Sequence, residues 1–516
     1  MAEAGHGGGP MRMWTAREGA GVDRTREGPA RVPGTAASGR SAARATARPA
    51  GLRARLRRHR WFLAVLAVAA ALRVTAMLGY RPALWFPDSY TYVVTALRPS
   101  PDLVRPAGYS MFLWLLEPFH SFAVVAFVQH LLGLALGVIV YLAARRAVPR
   151  GLATVAAAPV LLDAYQIQLE HLLVSDVLFA LLILAAVVVA TRREPGTGTG
   201  VAVGLLLAAA ALTRTVGLPL LVVFAAWFLV RARRNRGRRG RFRPLAALLV
   251  AALVPIGGYA AWFWQTHHRI GIIGANGVFL YARTMSFADC AVMRPPGDLA
   301  VLCDPRPPAL RPPSQEYIWN DDSPLVRLPG ITFRASTDAL AARFAVLAIR
   351  SQPLDYLASV ATELGRSFTW ERQVYPTREI YDLYEFPARS PEPPTRHPAT
   401  VGYRLAEQEY ERGPIRTVVA EPYAGVLRAY QGVARLPGTV LLAVLLVPPV
   451  AAGVRRLTGG PRYGTAGWAL PWTAALVLLT VPAATAEYDH RYVLPAVPLA
   501  FLAAAAALRG PSERRP

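Results

Sequence analysis

The chain contains no lysine: all 57 of its Lys/Arg positions are arginine. That excludes Schiff-base chemistry on a lysine amine and leaves any phosphate to be gripped by guanidinium groups. A GC-rich genome is explanation enough for the bias; its chemical consequence holds either way. Cysteines number only two and histidines nine. None of them falls into a Cys/His ligand set, so a zinc site is unsupported. Charge is scarce as well, 17% of residues against 53% hydrophobic, a balance that fits a polytopic membrane protein better than a soluble one. No internal repeat of the kind found in many transporters is visible.

What charge there is has mostly one sign, net +25. The arginines lie between apolar runs rather than on one basic face, the pattern of cytoplasmic loops and not of a nucleic-acid binder. Apolar runs occur at about 61–80, 121–144, 151–165, 173–191, 200–212, 215–231, 244–265, 436–454, 465–486 and 492–508. Most approach the length of a membrane-spanning helix; 151–165 and 200–212 are short. "RLRRHR" (55–60), "RRAVPR" (145–150), "TRREP" (191–195), "RARRNRGRRGRFR" (231–243), "VRRLTGGPR" (454–462) and "RGPSERRP" (509–516) all fall on one side of that layout. The expectation is an all-α polytopic protein of about 10–11 transmembrane helices with both termini cytoplasmic.

The organisation expected is a disordered basic tail (1–52), an N-terminal transmembrane module (53–265), an extracytoplasmic insert of mixed structure (266–435), C-terminal transmembrane helices (436–508) and a short cytoplasmic tail (509–516). A cleaved signal peptide is not expected, because the first apolar run starts too far in. The insert holds Cys290 and Cys303. An extracytoplasmic pair suits a disulfide, and closing that loop adds on the order of 3 kcal/mol. Between them "AVMRPPGDLAVL" reads as irregular. Farther on, 336–370 reads as two amphipathic helices broken at Pro353, packing on the spans or lying on the bilayer.

Polar residues gather at the span ends on the outer side. "WFPDSYTYVV" carries Asp88 and Tyr90, and "LVRPAGYSMFLW" carries Arg105. "QLEHLLVSDVLF" has Glu170, His171 and Asp176; "LTRTVGLP" has Arg214; "AEYDHRYVLPAVP" has His490, Arg491 and Tyr492. Singly, each acid reads as a helix cap, each aromatic as a belt residue and each arginine as an interfacial anchor. Together they suit transfer of a group from a lipid phosphate. A base takes the acceptor's proton, and cations stabilise the departing phosphate. Asp88 is the candidate base, with Asp176 and Glu170 as further acids. Arg105, Arg491, Arg214 and His490 are phosphate candidates. Tyr90, His171 and Tyr492 are candidate substrate contacts. No cofactor is implied with certainty, and a divalent ion on Asp88 and Asp176 stays open.

These stretches resemble motifs of the GT-C superfamily of integral-membrane glycosyltransferases, in the branch of the protein O-mannosyltransferases and the lipid A aminoarabinose transferase. "FPDSYTYV" resembles its acidic first-loop motif. "VRPAGYSMFLW" is similar to its basic-Pro-aromatic segment, "VSDVLFALL" to its Ser-acid span opening, "LTRTVGLPLL" to its Thr-Arg turn and "HRYVLPAVPLAFL" to its last motif. Where many members have two adjacent acids, this chain has Asp88-Ser89. The resemblance implies a plasma-membrane enzyme performing an inverting transfer from a polyprenyl-phosphate sugar to an extracytoplasmic glycan, lipid or protein acceptor. A transporter or flippase of a lipid-linked sugar or other anion is the alternative; it normally places its ionisable residues at mid-membrane rather than at span ends.

Overall fold

The computed structural model describes residues 56–191, 195–235, 237, 239–397, 399–458 and 467–509. The expected tails, 1–52 and nearly all of 509–516, lie outside them. Each of the ten apolar runs folds as helix over most of its length. They are α1 (Arg60–Gly79), α4 (Phe122–Ala144), α5 (Arg150–Leu162) with α6 (Ala164–His171), α7 (Asp176–Ala190), α8 (Thr197–Thr213), α9 (Gly217–Arg234), α10 (Arg243–His267), α18 (Gly438–Leu457), α19 (Ala469–Thr485) and α20 (His490–Ala507). Short helices α2 (Pro87–Leu97) and α3 (Gly108–Leu116) follow the first span.

The count of spans is lower than the sequence suggests. Five of the described helices, α1, α4, α10, α18 and α20, are long and apolar enough to cross a membrane. A sixth span arises if α5 and α6, bent by 47°, act as one. Helices α7, α8 and α19 are apolar but only 15, 17 and 17 residues long. At about 1.5 Å per residue they reach roughly 25 Å or less, short of a full hydrocarbon core. Helix α9 ends in Arg231, Arg233 and Arg234. Outward faces carry exposed Val222, Val250 and Val254, as lipid-facing helices do. With this set of spans the chain is a multi-pass membrane protein.

Close packing has a local cause where α8 meets α10. Gly200 and Gly204 stand one turn apart, and a Cβ on them would lie 2.1 Å from the Pro244 carbonyl oxygen and 2.4 Å from that of Leu248. Only glycine permits that approach. The α5–α6 break follows from Pro159 inside the helix and Asp163 after it. The extended Asp163 caps α6, its Oδ1 accepting from the backbone N–H of Tyr165 and Gln166 and its Oδ2 from that of Leu436.

The segment between α10 and α18 holds its own helices. Helices α11 (Asn276–Thr284) and α14 (Ala335–Ser351) pack around a core of Val278, Tyr281, Leu302, Tyr317, Phe344 and Ala348. Cys290 and Cys303 are disulfide-bonded. The stretch between them is more regular than expected, forming single-turn helices α12 (Cys290–Met293) and α13 (Gly297–Ala300). Helix α15 (Pro353–Arg366) follows α14 after the break at Gln352 and packs on α19. Helices α16 (Ala399–Leu405) and α17 (Tyr423–Gln431) pack on α2 and α1. A two-stranded antiparallel ribbon, β1 (Tyr80–Arg81) and β2 (Val418–Val419), ties the end of α1 to this segment, pairing Tyr80 with Val419. It adds a little sheet to an otherwise helical fold.

Candidate active site

The loop after α1 enters α2 through Pro87, which places Asp88 in the first helical turn. A helix N-terminus favours negative charge there. Ser89, the next residue, is fully buried. Its Oγ accepts from the Phe86 backbone N–H at 3.0 Å and donates to the Leu173 carbonyl at 2.8 Å. A carboxylate in its place would face that carbonyl acceptor to acceptor. The departure from an acid pair thus has a structural reason: position 89 holds the turn and does not join the site.

Asp88 is held from two sides. Arg105 Nη2 donates to Oδ1, and Arg491 Nη2 donates to Oδ2 at 3.0 Å. Arg105 is placed by an Asp turn, Asp102 Oδ1 accepting from the backbone N–H of Val104 and Arg105, both at 2.8 Å. Arg491 is placed by Asp489, whose Oδ1 accepts from the Arg491 backbone N–H and whose Oδ2 accepts from Tyr384 Oη at 2.8 Å. Arg491 Nε lies 3.3 Å from that same Oδ2 but is not aligned to hydrogen-bond with it. The guanidinium covers the Phe86 ring at 4.5 Å and Tyr492 at 5.3 Å.

A second acid–arginine pair adjoins the first. Asp176 opens α7, and its Oδ1 accepts from Arg214 Nη1 at the α8–α9 turn. Arg214 lies 4.9 Å from the Tyr492 ring, so Tyr492 stands between Arg214 and Arg491. Tyr92 Oη meets Ser175 Oγ at 3.2 Å, linking α2 to the start of α7. Asp176 Oδ2 is buried and has no donor among the described residues.

Electrostatics follow from this crowding. Burial pushes the Asp88 carboxyl up, but the guanidiniums of Arg105 and Arg491 outweigh it and hold the group well below the usual carboxylate range. Burial lowers Arg105 and the Asp88 charge more than restores it, so its pKa is raised. Arg214 is shifted down, by burial first and by the nearby Arg491 charge second. Burial and the Asp88 charge raise the Tyr92 phenol. Glu487, just before Asp489, is raised well above its ordinary value by burial.

Asp88, Asp176, Arg105, Arg214, Arg491 and Tyr492 therefore stand together, joined by Tyr92, Asp489 and Tyr384. Four expected site residues stand elsewhere. Glu170 accepts from Arg73 Nε at 2.7 Å and Nη2 at 2.8 Å, from Gln166 Nε2 at 3.0 Å, and contacts His130 Nδ1 at 3.1 Å. His171 bridges His130 Nε2 and the Tyr80 carbonyl. Both belong to a buried network joining α1, α4 and α6. His490 turns away from Arg491, with its ring 5.0 Å from Tyr165 and Nδ1 3.4 Å from Tyr488 Oη. Tyr90 stacks on Trp85 at 5.0 Å. The residues the sequence reading missed are Arg73, His130 and Tyr384; Asp489 lies in the polar stretch "AEYDHRYVLPAVP" but has no role assigned to it there. Arg73 carried a signal, being a charge inside an apolar run that requires a partner.

A divalent ion does not fit this set. Both Asp88 oxygens face guanidiniums, three arginines crowd the cluster, and among the described residues no three His, Cys, Asp or Glu converge.

The helical architecture resembles that of an archaeal oligosaccharyltransferase. The solved structure of the Archaeoglobus fulgidus oligosaccharyltransferase tethered with an acceptor peptide matches 87% of this chain and 50% of its own, with TM-score 0.41 and 13% identity. The Archaeoglobus fulgidus AglB complex with an inhibitory peptide and a dolichol-phosphate matches 86% of this chain, with TM-score 0.36 and 14% identity. ArnT from Cupriavidus metallidurans bound to undecaprenyl phosphate matches 87% of this chain and 77% of its own, with TM-score 0.32 and 15% identity. The chain spans about half the length of the oligosaccharyltransferases it matches. No family model and no curated protein matches the sequence. At these identities and TM-scores the likeness carries no argument about substrate or mechanism.

Proposed function

We propose that the chain is a membrane glycosyltransferase that moves a sugar from a polyprenyl phosphate to an acceptor hydroxyl outside the cytosol. The observation that carries this reading is Asp88 held between Arg105 and Arg491 just beyond the first span, with Arg214 beside them. Two carboxylates, Asp88 and Asp176, among three guanidiniums at a span end suit an attacking hydroxyl and a phosphate leaving group. Arg105 and Arg491, with Arg214, take the phosphate oxygens through charge-assisted hydrogen bonds. Asp88 takes the acceptor's proton as its oxygen attacks the anomeric carbon. The bond to the carrier phosphate breaks on the opposite face, inverting the centre, and the negative charge gained by the phosphate is met by the arginines. Asp176 orients a hydroxyl through its unpartnered oxygen.

The test is direct. Purified protein in nanodiscs, given polyprenyl-phosphate hexoses or pentoses and a panel of hydroxyl acceptors, should release polyprenyl phosphate and form a glycosidic bond. Uptake of a lipid-linked sugar across proteoliposomes with no new glycosidic bond would favour transport instead. The one-sided arginines support a site outside the cytosol. Reporter fusions near 196, 237 and 458 should therefore read cytoplasmic and those near 300 and 390 external; an internal signal at 300 would overturn that placement.

A further inference from the structure

Two demands fall on the same atoms. Arg105 and Arg491 are the groups proposed to hold the carrier phosphate, and they are also the groups that occupy both oxygens of the base. A base so paired is a weak one, and each guanidinium, turned to the carboxylate through its Nη2, must divide its charge between Asp88 and any phosphate that its remaining donors reach. Nothing else described at the cluster relieves the conflict. Asp489 is taken by Tyr384 and by the Arg491 backbone and side chain. Asp176 gives one oxygen to Arg214 and keeps the other fully buried, and Tyr92 is engaged with Ser175. Asp102 holds backbone only. These, with Tyr492, are the charged and titratable groups that face Asp88 and its two arginines.

We propose that the donor's phosphate switches the base on by drawing Arg105 and Arg491 away from Asp88. The inference rests on the reading of this cluster as a phosphate site. A phosphate offers more oxygens and more charge than a carboxylate, and it competes for planar guanidinium forks. Once the arginines turn to it, Asp88 has a free oxygen and recovers its basicity. It then takes the proton of the acceptor hydroxyl as the new carbon–oxygen bond forms and the carbon–oxygen bond to phosphate breaks. When the polyprenyl phosphate departs, the arginines return to Asp88. Their charge lowers its proton affinity again, and the proton passes to solvent. The cycle closes with no other proton carrier. It also sets an order: an acceptor that arrives before the donor meets an idle carboxylate.

The arms of the competition can be read without turnover, using farnesyl phosphate as the probe and protein in nanodiscs. Asp88→Asn removes the competitor for the arginines, so the variant should bind farnesyl phosphate at least tenfold more tightly than the natural chain. Arg105→Gln should bind it at least tenfold more weakly. In the natural chain labelled with ¹³C-aspartate, infrared difference spectra should show one carboxylate band shifting when farnesyl phosphate is added. Inorganic phosphate should produce the same shift at higher concentration. The infrared arm needs no variant and stands even if Asp88→Asn fails to fold. Unchanged or weaker binding by Asp88→Asn, or binding to the natural chain with no carboxylate shift, overturns the switch and leaves the phosphate site standing. Failure of both probes to bind the natural chain overturns the phosphate site and the switch with it.

Discussion

Two buried acid–arginine constellations lie within a few turns of each other, and they are built to opposite ends. Around Glu170 every carboxylate oxygen is met twice, and the side chains of Arg73, His130 and Glu170 are 3%, 3% and 0% exposed. Gly133 is shaped to that carboxylate, for a Cβ there would lie 1.9 Å from Glu170 Oε1. Around Asp88 the partnering is incomplete. Arg105 keeps 18% of its side chain exposed, and Arg491 Nε and Asp176 Oδ2 are left without hydrogen-bond partners. A satisfied charge network fixes structure, whereas a partly satisfied one holds donors and acceptors in reserve for a ligand. The type of residue does not distinguish the two; completeness of partnering does.

The sharpest way to break this contrast is to neutralise one acid in each. Asp88→Asn should cut the transfer rate per folded molecule by about 10²–10⁴-fold, with a loss of thermal stability smaller than that of Glu170→Gln. Glu170→Gln should do the reverse, leaving Arg73 charged and unpaired at a cost of about 3–5 kcal/mol. Its rate per folded molecule should stay near that of the natural chain. Thermal unfolding and initial rates on both variants settle the matter; lost activity in a stable Glu170→Gln protein would make the two sites one. A smaller effect is expected from Gly133→Ala, about 1–3 kcal/mol of destabilisation from overpacking against Glu170, again with transfer preserved.

The weakest effect concerns pH. Asp88 is lowered in the folded chain, so its pairing stabilises the fold above the unfolded carboxylate value near about 4 and is lost as pH falls below it. Glu487 is raised by burial. It therefore costs stability as pH rises from about 4.3 toward its folded value. Glu487→Gln should raise the melting temperature at pH 7 and leave it unchanged at pH 4, while Asp88→Asn should lower it at pH 7 and flatten the acid limb. Melting curves from pH 7 down to about pH 2 test both signs.

Much of this was legible in the chain. Apolar runs marked where helices form, because burial against lipid or protein needs the same residues. They overstated the crossings, because runs such as 173–191 and 200–212 yield helices of 15 and 17 residues. The convergence of Asp88, Arg105 and Arg491 followed from placing span ends on one side. What the chain concealed is side-chain direction. Glu170 and Asp176 are six residues apart yet serve different networks, since α6 ends at His171 and a turn reorients the chain before α7. His490 and Arg491 are adjacent and point apart, because consecutive positions of a helical turn are rotated by about 100°.

Tyr384 comes from the segment between α10 and α18, and its hydroxyl holds the carboxylate that positions Arg491. Exchange of that segment for one from another protein thus removes a support of Arg491, the group proposed to hold the donor phosphate. Under the proposed function, a chimaera that loses the hydroxyl at this position should be impaired in leaving-group stabilisation whatever its acceptor preference. Grafts should begin from boundaries that retain Tyr384 with the host bundle.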